Sequence, residues 1–163
     1  MRTIALTRGY VAQVSDKDYT RVNRFKWGVS IPARRADGVV YVYAVRHLPI
    51  ENGTRKSCKM HRFILGVSDP SIKVDHEDHN GLNNQRRNLR KATDEQNQRN
   101  VGVKSNNTSG FKGVRWNQGK WQVSIRAKST RIHIGVFSDL IEAAKAYDAA
   151  AIKYHGKFAY TNF

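Results

Sequence analysis

The sequence predicts an α+β fold made of small modules, and three observations lead to this prediction. Short apolar runs separated by turn signals fill the first third of the 163-residue chain. A strand, loop, strand and helix pattern follows in the middle, and the last third has the pattern of three strands and an amphipathic helix. The 39% hydrophobic content includes three Trp, seven Tyr and six Phe, which is enough apolar material to build cores.

Residues 1–59 are expected to form a small β-rich region. Turn signals such as Arg8-Gly9 and Asp37-Gly38 separate the apolar runs, and Asp16 to Phe25 could form one short helix. The predicted strands are Thr3 to Leu6, Tyr10 to Val14, Trp27 to Ile31 and Val39 to Val45. Arg34, Arg35 and Arg46 are available for phosphates, although a structural scaffold with a solvated basic face explains the region equally well.

Residues 60–100 form the second predicted module. The pattern is a short helix or strand at Met60 to Leu65, a strand at Ile72 to His76 and a second short strand at Asn88 to Arg90. Thr93 to Gln96 has the signature of an N-cap with a reciprocal side chain at N3, so a helix should begin there. That helix would place Asn97 in its first turn or just beyond it, near the end of the first strand.

The last third of the chain predicts a linker and a third module. Residues 101–109 are rich in Asn, Ser and Gly and are expected to be a linker before a module at residues 110–163. A helix should run from Leu140 to Tyr154, capped by Ser138 or Asp139 and stopped near Gly156, with one apolar face against the sheet. The predicted strands are Phe111 to Arg115, Trp121 to Ala127 and Arg131 to Phe137.

Charge identifies the expected partner class. The chain carries 29 Lys and Arg against 13 Asp and Glu, a net charge of +16 that attracts polyanions. Basic and acidic residues number 12 and 4 in residues 1–60, 7 and 6 in residues 61–103, and 10 and 3 in residues 104–163. Two basic arms therefore flank a nearly neutral middle that contains Asp75, Glu77 and Asp78, and DNA or RNA is the leading partner.

Cysteine content and hydropathy give further expectations. Cys58 is the single cysteine, so neither an internal disulfide nor a multi-cysteine zinc site can form. We expect a reducing, cytoplasmic location. The first residues lack an apolar signal region, and no run approaches the roughly 20 apolar residues of a membrane span. We therefore expect no membrane partner, and we expect a monomer.

The residues of the middle segment suggest phosphodiester chemistry. Asp75 and His76 are adjacent, Asn88 follows twelve residues after His76, and Asn97 lies nine residues further on. A neutral imidazole can take a proton from water near physiological pH, which makes His76 the candidate general base. Asp75 and Asn97 offer the oxygen ligands that suit Mg²⁺. Asn88 would complete the catalytic set by bracing the loop and orienting His76.

The segment from about His61 to Asn100 resembles the HNH endonucleases, whose ββα-metal core carries Asp-His on its first strand. The strings VDH, LNNQRRNLR and TDEQNQRN carry this resemblance, and they are most similar to the phage and intron-homing branch. The resemblance implies that His76 is the general base, that Asp75 and Asn97 bind the metal, and that Asn88 is structural. His61 is assigned equally to packing or to support of the site.

Two departures from the family pattern affect the expected metal. The absence of paired cysteines means that no structural zinc is expected, and Asn97 in place of a histidine makes a weaker ligand. The expected cofactor is Mg²⁺, with Mn²⁺ or another divalent ion as the alternative.

Residues 109–163 resemble the AP2 DNA-binding domain over nearly its whole length. The strings GVRW, IHIGVF and EAAKAYDAAA carry the match. The resemblance implies a three-stranded antiparallel sheet that lies in the DNA major groove, with one helix packed behind it. The first turn is shorter here and His133 replaces a common aromatic residue, so the base preference of the plant proteins is not carried over.

Basic residues on the predicted sheet are the candidate DNA contacts, because Arg can bind guanine O6 and N7 with two hydrogen bonds. Trp116 and Trp121 could touch sugars or bases, and at least one of them should pack in the core. The candidate DNA-binding residues are Lys112, Arg115, Trp116, Arg126, Lys128, Arg131 and His133.

Together, these observations predict a metal-dependent HNH endonuclease that an AP2-type domain directs to double-stranded DNA. Its expected origin is a phage or mobile element, acting in the bacterial host cytoplasm if it is phage-encoded. The alternative is a DNA-binding regulator whose HNH-like module is catalytically inactive. A nonspecific or RNA-directed nuclease is a third possibility, which cleavage of duplex DNA, single strands and RNA would separate.

Overall fold

The computed structural model describes residues 1–31, 41–49, 53–54, 56–128 and 130–163. This part of the chain is a mixed α+β structure with several small, mainly antiparallel sheets and four α-helices. It divides into two compact units, the first ending at Asp94 and the second running from Glu95 to Phe163. No helix within the described ranges is both long enough and apolar enough to cross a membrane.

The first unit begins with a hairpin and a helix. Strands β1 (Arg2–Ala5) and β2 (Val11–Val14) pair antiparallel, and α1 (Asp16–Asn23) follows. The alternation of the strands places Ile4, Ala12 and Val14 inside. Two aspartates in the first turn of α1 favour its start, because they oppose the positive end of the helix dipole.

A second small sheet joins distant parts of the first unit. It consists of β3 (Gly28–Ser30), β4 (Tyr43–His47) and β5 (Ser57–Lys59), in that order and antiparallel. The strand expected at Val39 to Val45 starts at Tyr43 in the structure, and its first two residues lie outside the described residues, as do Arg34 and Arg35. The helix α2 (Met60–Leu65) follows and ends at Gly66, whose left-handed backbone suits glycine.

The Asp75-His76 pair lies at the end of a short strand. This strand, β6 (Lys73–His76), is followed by β7 (Asn83–Asn84), which pairs parallel with β2, and by β8 (Leu89–Ala92), which pairs antiparallel with β6. The helix α3 (Asp94–Arg99) comes next. The chain order of strand, loop, strand and helix therefore matches the expected order, with the additional β7 between them.

One apolar core serves the whole first unit. Its buried side chains come from both sides of the boundary expected at residue 59, so the β-rich region and the segment after it fold as one body. An ion pair also joins the two segments: the Arg86 guanidinium pairs with the buried Asp18, with an Nε to Oδ2 distance of 2.8 Å. The core contains Ile4, Leu6, Ala12, Val14, Val22, Trp27, Ala44, Met60, Ile64 and Leu89.

The second unit is a three-stranded sheet covered by one helix. Strands β9 (Val114–Asn117), β10 (Lys120–Ala127) and β11 (Thr130–Phe137) form an antiparallel sheet with β10 in the centre. The helix α4 (Leu140–His155) begins at Asp139, whose carboxylate accepts a hydrogen bond from the Glu142 backbone N–H. Ala143, Ala144, Tyr147 and other residues of α4 pack on Val114, Val123 and Ile125 of the sheet.

Close packing of α4 requires glycine at position 113. Gly113 has a φ of +76°, and a Cβ atom there would lie 1.9 Å from the Tyr147 ring. A side chain would therefore be strained by the backbone and would also displace the aromatic ring. The glycine in the GVRW string fixes how closely the sheet approaches the helix.

Candidate functional site

The His76 imidazole lies in a buried aromatic environment at the end of β6. It is 6% exposed, and its ring is 4.9 Å from the His61 ring and 6.1 Å from the Tyr43 ring. His61 comes from α2 and Tyr43 from β4, so separate elements of the first unit enclose the imidazole. Gly81 also packs closely there, since a Cβ atom at Gly81 would lie 2.8 Å from the Tyr43 ring.

Burial keeps both histidines of this cluster neutral at physiological pH. Desolvation lowers the pKa of His76, although the Asn84 hydrogen bond and the nearby Asp78 and Asp75 act to raise it. For His61, burial followed by the charges of His76, Lys59 and Arg62 lowers the pKa to about 2. A neutral imidazole can accept a proton, as a general base must.

Asn84 positions the His76 imidazole. The Asn84 amide Nδ2 donates to the Gly81 carbonyl at 3.3 Å, which directs its Oδ1 towards the His76 Nε2 at 3.5 Å. The donor and acceptor roles of the two ring nitrogens follow from the tautomer of His76.

Asp75 is paired with an arginine across the strand pair. The register of β6 and β8 sets Asp75 opposite Arg90, whose Nε donates to Asp75 Oδ2 at 2.8 Å. Glu77 lies near the same guanidinium, with an Oε1 to Nη1 distance of 3.4 Å. The positive charge of Arg90 therefore offsets the cost of burying the Asp75 carboxylate, which is only 7% exposed.

Asn88 holds the loop that follows His76. Its Oδ1 accepts from the Asp78 backbone N–H at 3.0 Å, and its Nδ2 donates at 2.8 Å both to Asp78 Oδ1 and to the Asn83 carbonyl. Burial acts to raise the pKa of Asp78, but hydrogen bonds from Asn83, Asn80 and Asn88 bring it below its usual range. The loop thus keeps an ionised carboxylate beside the imidazole.

Lys59 brings positive charge to the same neighbourhood. Its Nζ lies 4.6 Å from the centre of the Tyr43 ring, which is a cation–π geometry. Desolvation and then the charges of Arg62 and Lys73 lower the pKa of Lys59, although the side chain as a whole is exposed. The sequence does not identify Lys59 and Tyr43 as residues of the site; the one available signal is the position of Lys59 two residues before His61.

The structure places the proposed metal ligands in different units. Asp75 belongs to the first unit, together with His76 and Asn88, whereas Asn97 lies in the part of α3 that belongs to the second unit. Within the described ranges, no group of three or more His, Cys, Asp or Glu side chains is arranged to hold a metal ion.

The second unit presents a polar sheet face opposite α4. The inward Val123 and Ile125 alternate with Ser124 and Arg126, which therefore point to the other face. The strand register sets Arg126 opposite Arg131 and Ser124 opposite His133. Arg115 lies opposite Gln122 on the other side of β10, and its Nε donates to the Gln122 Oε1 at 2.8 Å. Arg115, Arg126, Arg131 and His133 thus share one face.

The remaining candidate DNA contacts lie in different environments. Trp116 is 53% exposed and its ring is 4.6 Å from that of Trp121, which packs against the core. Lys128 is exposed in a turn with a φ of +47°. The Lys112 Nζ donates to the carbonyls of Arg99 and Val101 at 2.6 and 2.5 Å, and burial lowers the pKa of Lys112 to about 8.

Comparison with models of protein families gives no match. Among individual proteins, the chain is similar to an uncharacterized HNH endonuclease of Acanthamoeba polyphaga mimivirus, at 36% identity over 110 residues. This match covers 64% of the chain and 57% of the mimivirus protein.

Plant proteins match a shorter part of the chain. An AP2/ERF and B3 domain-containing protein of Oryza sativa subsp. japonica is 42% identical over 57 residues, covering 34% of the chain and 16% of the plant protein. An ethylene-responsive transcription factor of Arabidopsis thaliana is 46% identical over 61 residues, covering 34% of the chain and 23% of that protein. The chain therefore spans less than two thirds of each of these relatives.

Proposed function

We propose that this chain is an HNH-type endonuclease that hydrolyses DNA phosphodiester bonds, with the sheet of the second unit binding the duplex. The observation that carries the proposal is the buried, neutral His76, which Asn84 orients and which follows Asp75 directly in the strand. Similarity to an HNH endonuclease and to proteins with AP2 domains supports a nuclease or DNA-binding role.

His76 would act as the general base. Its imidazole takes a proton from a water molecule while the water oxygen forms a bond to phosphorus. The bond between phosphorus and the 3′ oxygen breaks, and that oxygen receives a proton from solvent. The buried position of His76 favours this role, because the lowered pKa leaves the imidazole unprotonated before reaction.

Lys59 would stabilise the negative charge that develops on the phosphoryl oxygens. Its ammonium contacts the Tyr43 ring, and this ring also borders His76. A cation positioned in advance needs little reorganisation when charge builds up in the transition state. Arg90 has a different role in this proposal, because it holds the Asp75 carboxylate in position.

A divalent metal is part of the proposal, with Asp75 as the ligand that the first unit supplies. Its hard carboxylate oxygen atoms fit the donor chemistry of Mg²⁺, and a bound Mg²⁺ would neutralise charge on the phosphate. Asp75 would keep its contact with Arg90.

DNA binding is assigned to the polar face of the second unit. Arg126 and Arg131 lie side by side there, and the chain as a whole carries a net charge of +16. Such a face can bind phosphates and present arginine side chains to base edges. We place the protein among homing endonucleases of phages or mobile elements, and we take double-stranded DNA as its substrate.

Plasmid conversion tests this function. Supercoiled DNA would be incubated with the wild type, with His76→Ala and with His47→Ala, each with Mg²⁺ or EDTA. His47 is an exposed histidine at the end of β4 and provides the matched control. We expect nicked or linear product from the wild type and the control in Mg²⁺ alone, and none from His76→Ala. Equal cutting by His76→Ala would refute the assignment of the base.

A DNA-binding regulator without nuclease activity is the second candidate, because the chain is similar in part to plant transcription factors. This candidate predicts tight duplex binding with no product under any metal condition. Substrates of duplex DNA, single-stranded DNA and RNA, assayed together, also separate a DNA endonuclease from a nonspecific or RNA-directed one.

A further inference from the structure

Residues 101–109, which the sequence predicts to be a linker, are packed against the sheet unit. Lys112 binds the start of this segment, since its ammonium donates to the carbonyls of Arg99 and Val101. Asn107 fixes the end, because its Oδ1 accepts from the Gly110 N–H at 2.8 Å and its Nδ2 donates to the Phe111 carbonyl at 2.9 Å. The segment is therefore an ordered part of the second unit.

A cleft lies between this segment and the polar face of the sheet. Two adjoining cavities of about 470 and 690 Å³ share Gln98, Lys104, Lys112, Gly113 and Arg131 in their walls. Asn106 borders the smaller cavity and Arg126 the larger one. Because Arg126 and Arg131 also belong to the polar sheet face, the cleft is continuous with the surface assigned to DNA binding.

Positive charge dominates the described residues that line the cleft. Glu95 is the one acidic residue among them, and it is paired with Arg99 at 2.5 Å. Within the part of the chain that the structure describes, the side chains of Lys104, Arg126 and Arg131 form no hydrogen bond or ion pair. The lining cations are Arg99, Lys104, Lys112, Arg115, Arg126 and Arg131.

Cations that converge without acidic partners repel one another, and a polyanion relieves that repulsion. The lining combines these cations with amide side chains such as Gln98 and Asn106, which are side chains that also bind phosphate oxygens. The backbone of duplex DNA supplies closely spaced negative charges. A duplex bound on the adjoining sheet face would bring this backbone to the cleft.

We propose that this cleft holds the phosphodiester backbone of duplex DNA and that Lys104 binds a phosphate there. The inference rests on the proposed DNA-binding function and adds to it a contact from outside the three-stranded sheet. Lys112 has a supporting role, because its ammonium is committed to the backbone of the packed segment.

Equilibrium binding to duplex DNA tests the inference. A labelled duplex of arbitrary sequence is sufficient as the probe, because phosphate contacts do not depend on base sequence. Affinity would be measured in EDTA over a range of salt concentrations for the full-length wild type, Lys104→Ala and Lys104→Arg. We expect Lys104→Ala to bind several-fold more weakly and its log–log salt slope to fall by about 0.9, the value for one lost phosphate contact. Lys104→Arg should retain most of the affinity.

Lys145→Ala is the matched control, because Lys145 is exposed on α4, the helix that covers the opposite side of the sheet. The inference predicts wild-type affinity and slope for this variant. If the wild type binds but Lys104→Ala behaves like Lys145→Ala, the cleft assignment is overturned and the proposed function stands. If the wild type does not bind duplex DNA, both proposals fail. Circular dichroism would confirm that each variant is folded.

Discussion

At the residue scale, the proposed role of His76 as general base depends on the side chains around it as well as on the imidazole itself. The sequence identifies the Asp75-His76 pair, but the contact of His76 with Asn84 and its burial beside His61 and Tyr43 are seen only in the structure. These contacts join segments far apart in the chain, so spacing alone could not predict them. The sequence does not reveal the place of Lys59 for the same reason. Lys59 contacts the Tyr43 ring, and it is this ring that contacts His76.

The proposed role of Lys59 gives a prediction about the catalytic rate. Lys59→Met should lower kcat on the order of 10² and change KM little, because the lost charge would act mainly in the transition state. Lys59→Arg should restore part of the rate. Single-turnover cleavage of plasmid DNA would measure the effect, with Lys91→Met as the control because Lys91 is exposed on β8. A normal rate for Lys59→Met would exclude this role.

At the element scale, the register of β6 and β8 sets Asp75 opposite Arg90. Both strands were expected from the sequence, as were the three strands and the helix of the second unit. The pairing of β7 with β2 was not expected, because two residues leave no periodic signal. Nor did the sequence reveal that the first 59 residues share a core with Met60, Ile64 and Leu89, since long-range packing decides this.

The Asp75–Arg90 pair should contribute measurably to folding stability. Arg90→Met leaves the carboxylate of Asp75 buried without this partner, which we expect to lower the free energy of unfolding by about 3 kcal/mol. The double variant Asp75→Asn/Arg90→Met should recover part of the loss, because the buried charge is then also removed. Urea unfolding monitored by circular dichroism would test this; an unchanged midpoint for Arg90→Met would show that the pair contributes nothing.

At the scale of the whole molecule, two units carry separate parts of the proposed function. The first contains His76, Asp75 and Asn88, and the second contains the polar sheet face. The sequence predicts boundaries at residues 59 and 100, whereas the described residues divide at Asp94. The polar composition of residues 101–109 predicts a linker, but the hydrogen bonds of Asn107 and Lys112 show that this segment is ordered.

Folding stability should depend on pH through His61. Its folded-state pKa of about 2 lies below the unfolded value of 6.5, so the unfolded chain binds the proton more readily. Stability is therefore fully present above about pH 6.5 and is lost as the pH falls towards the folded-state pKa. We expect a loss of about 2 kcal/mol from His61 between pH 6.5 and 5. Urea unfolding at both pH values, with His61→Gln for comparison, would detect it; equal pH dependence in the two proteins would contradict this origin.

Chemical rescue of His76→Ala tests the central claim most directly. Binding to duplex DNA and single-turnover cleavage in Mg²⁺ would be measured on the same plasmid, with and without added imidazole. The proposed mechanism predicts that the variant binds DNA like the wild type, cuts no DNA alone and regains cleavage when imidazole replaces the missing base. Cleavage by His76→Ala at the wild-type rate without imidazole would contradict the claim that His76 takes the proton from water.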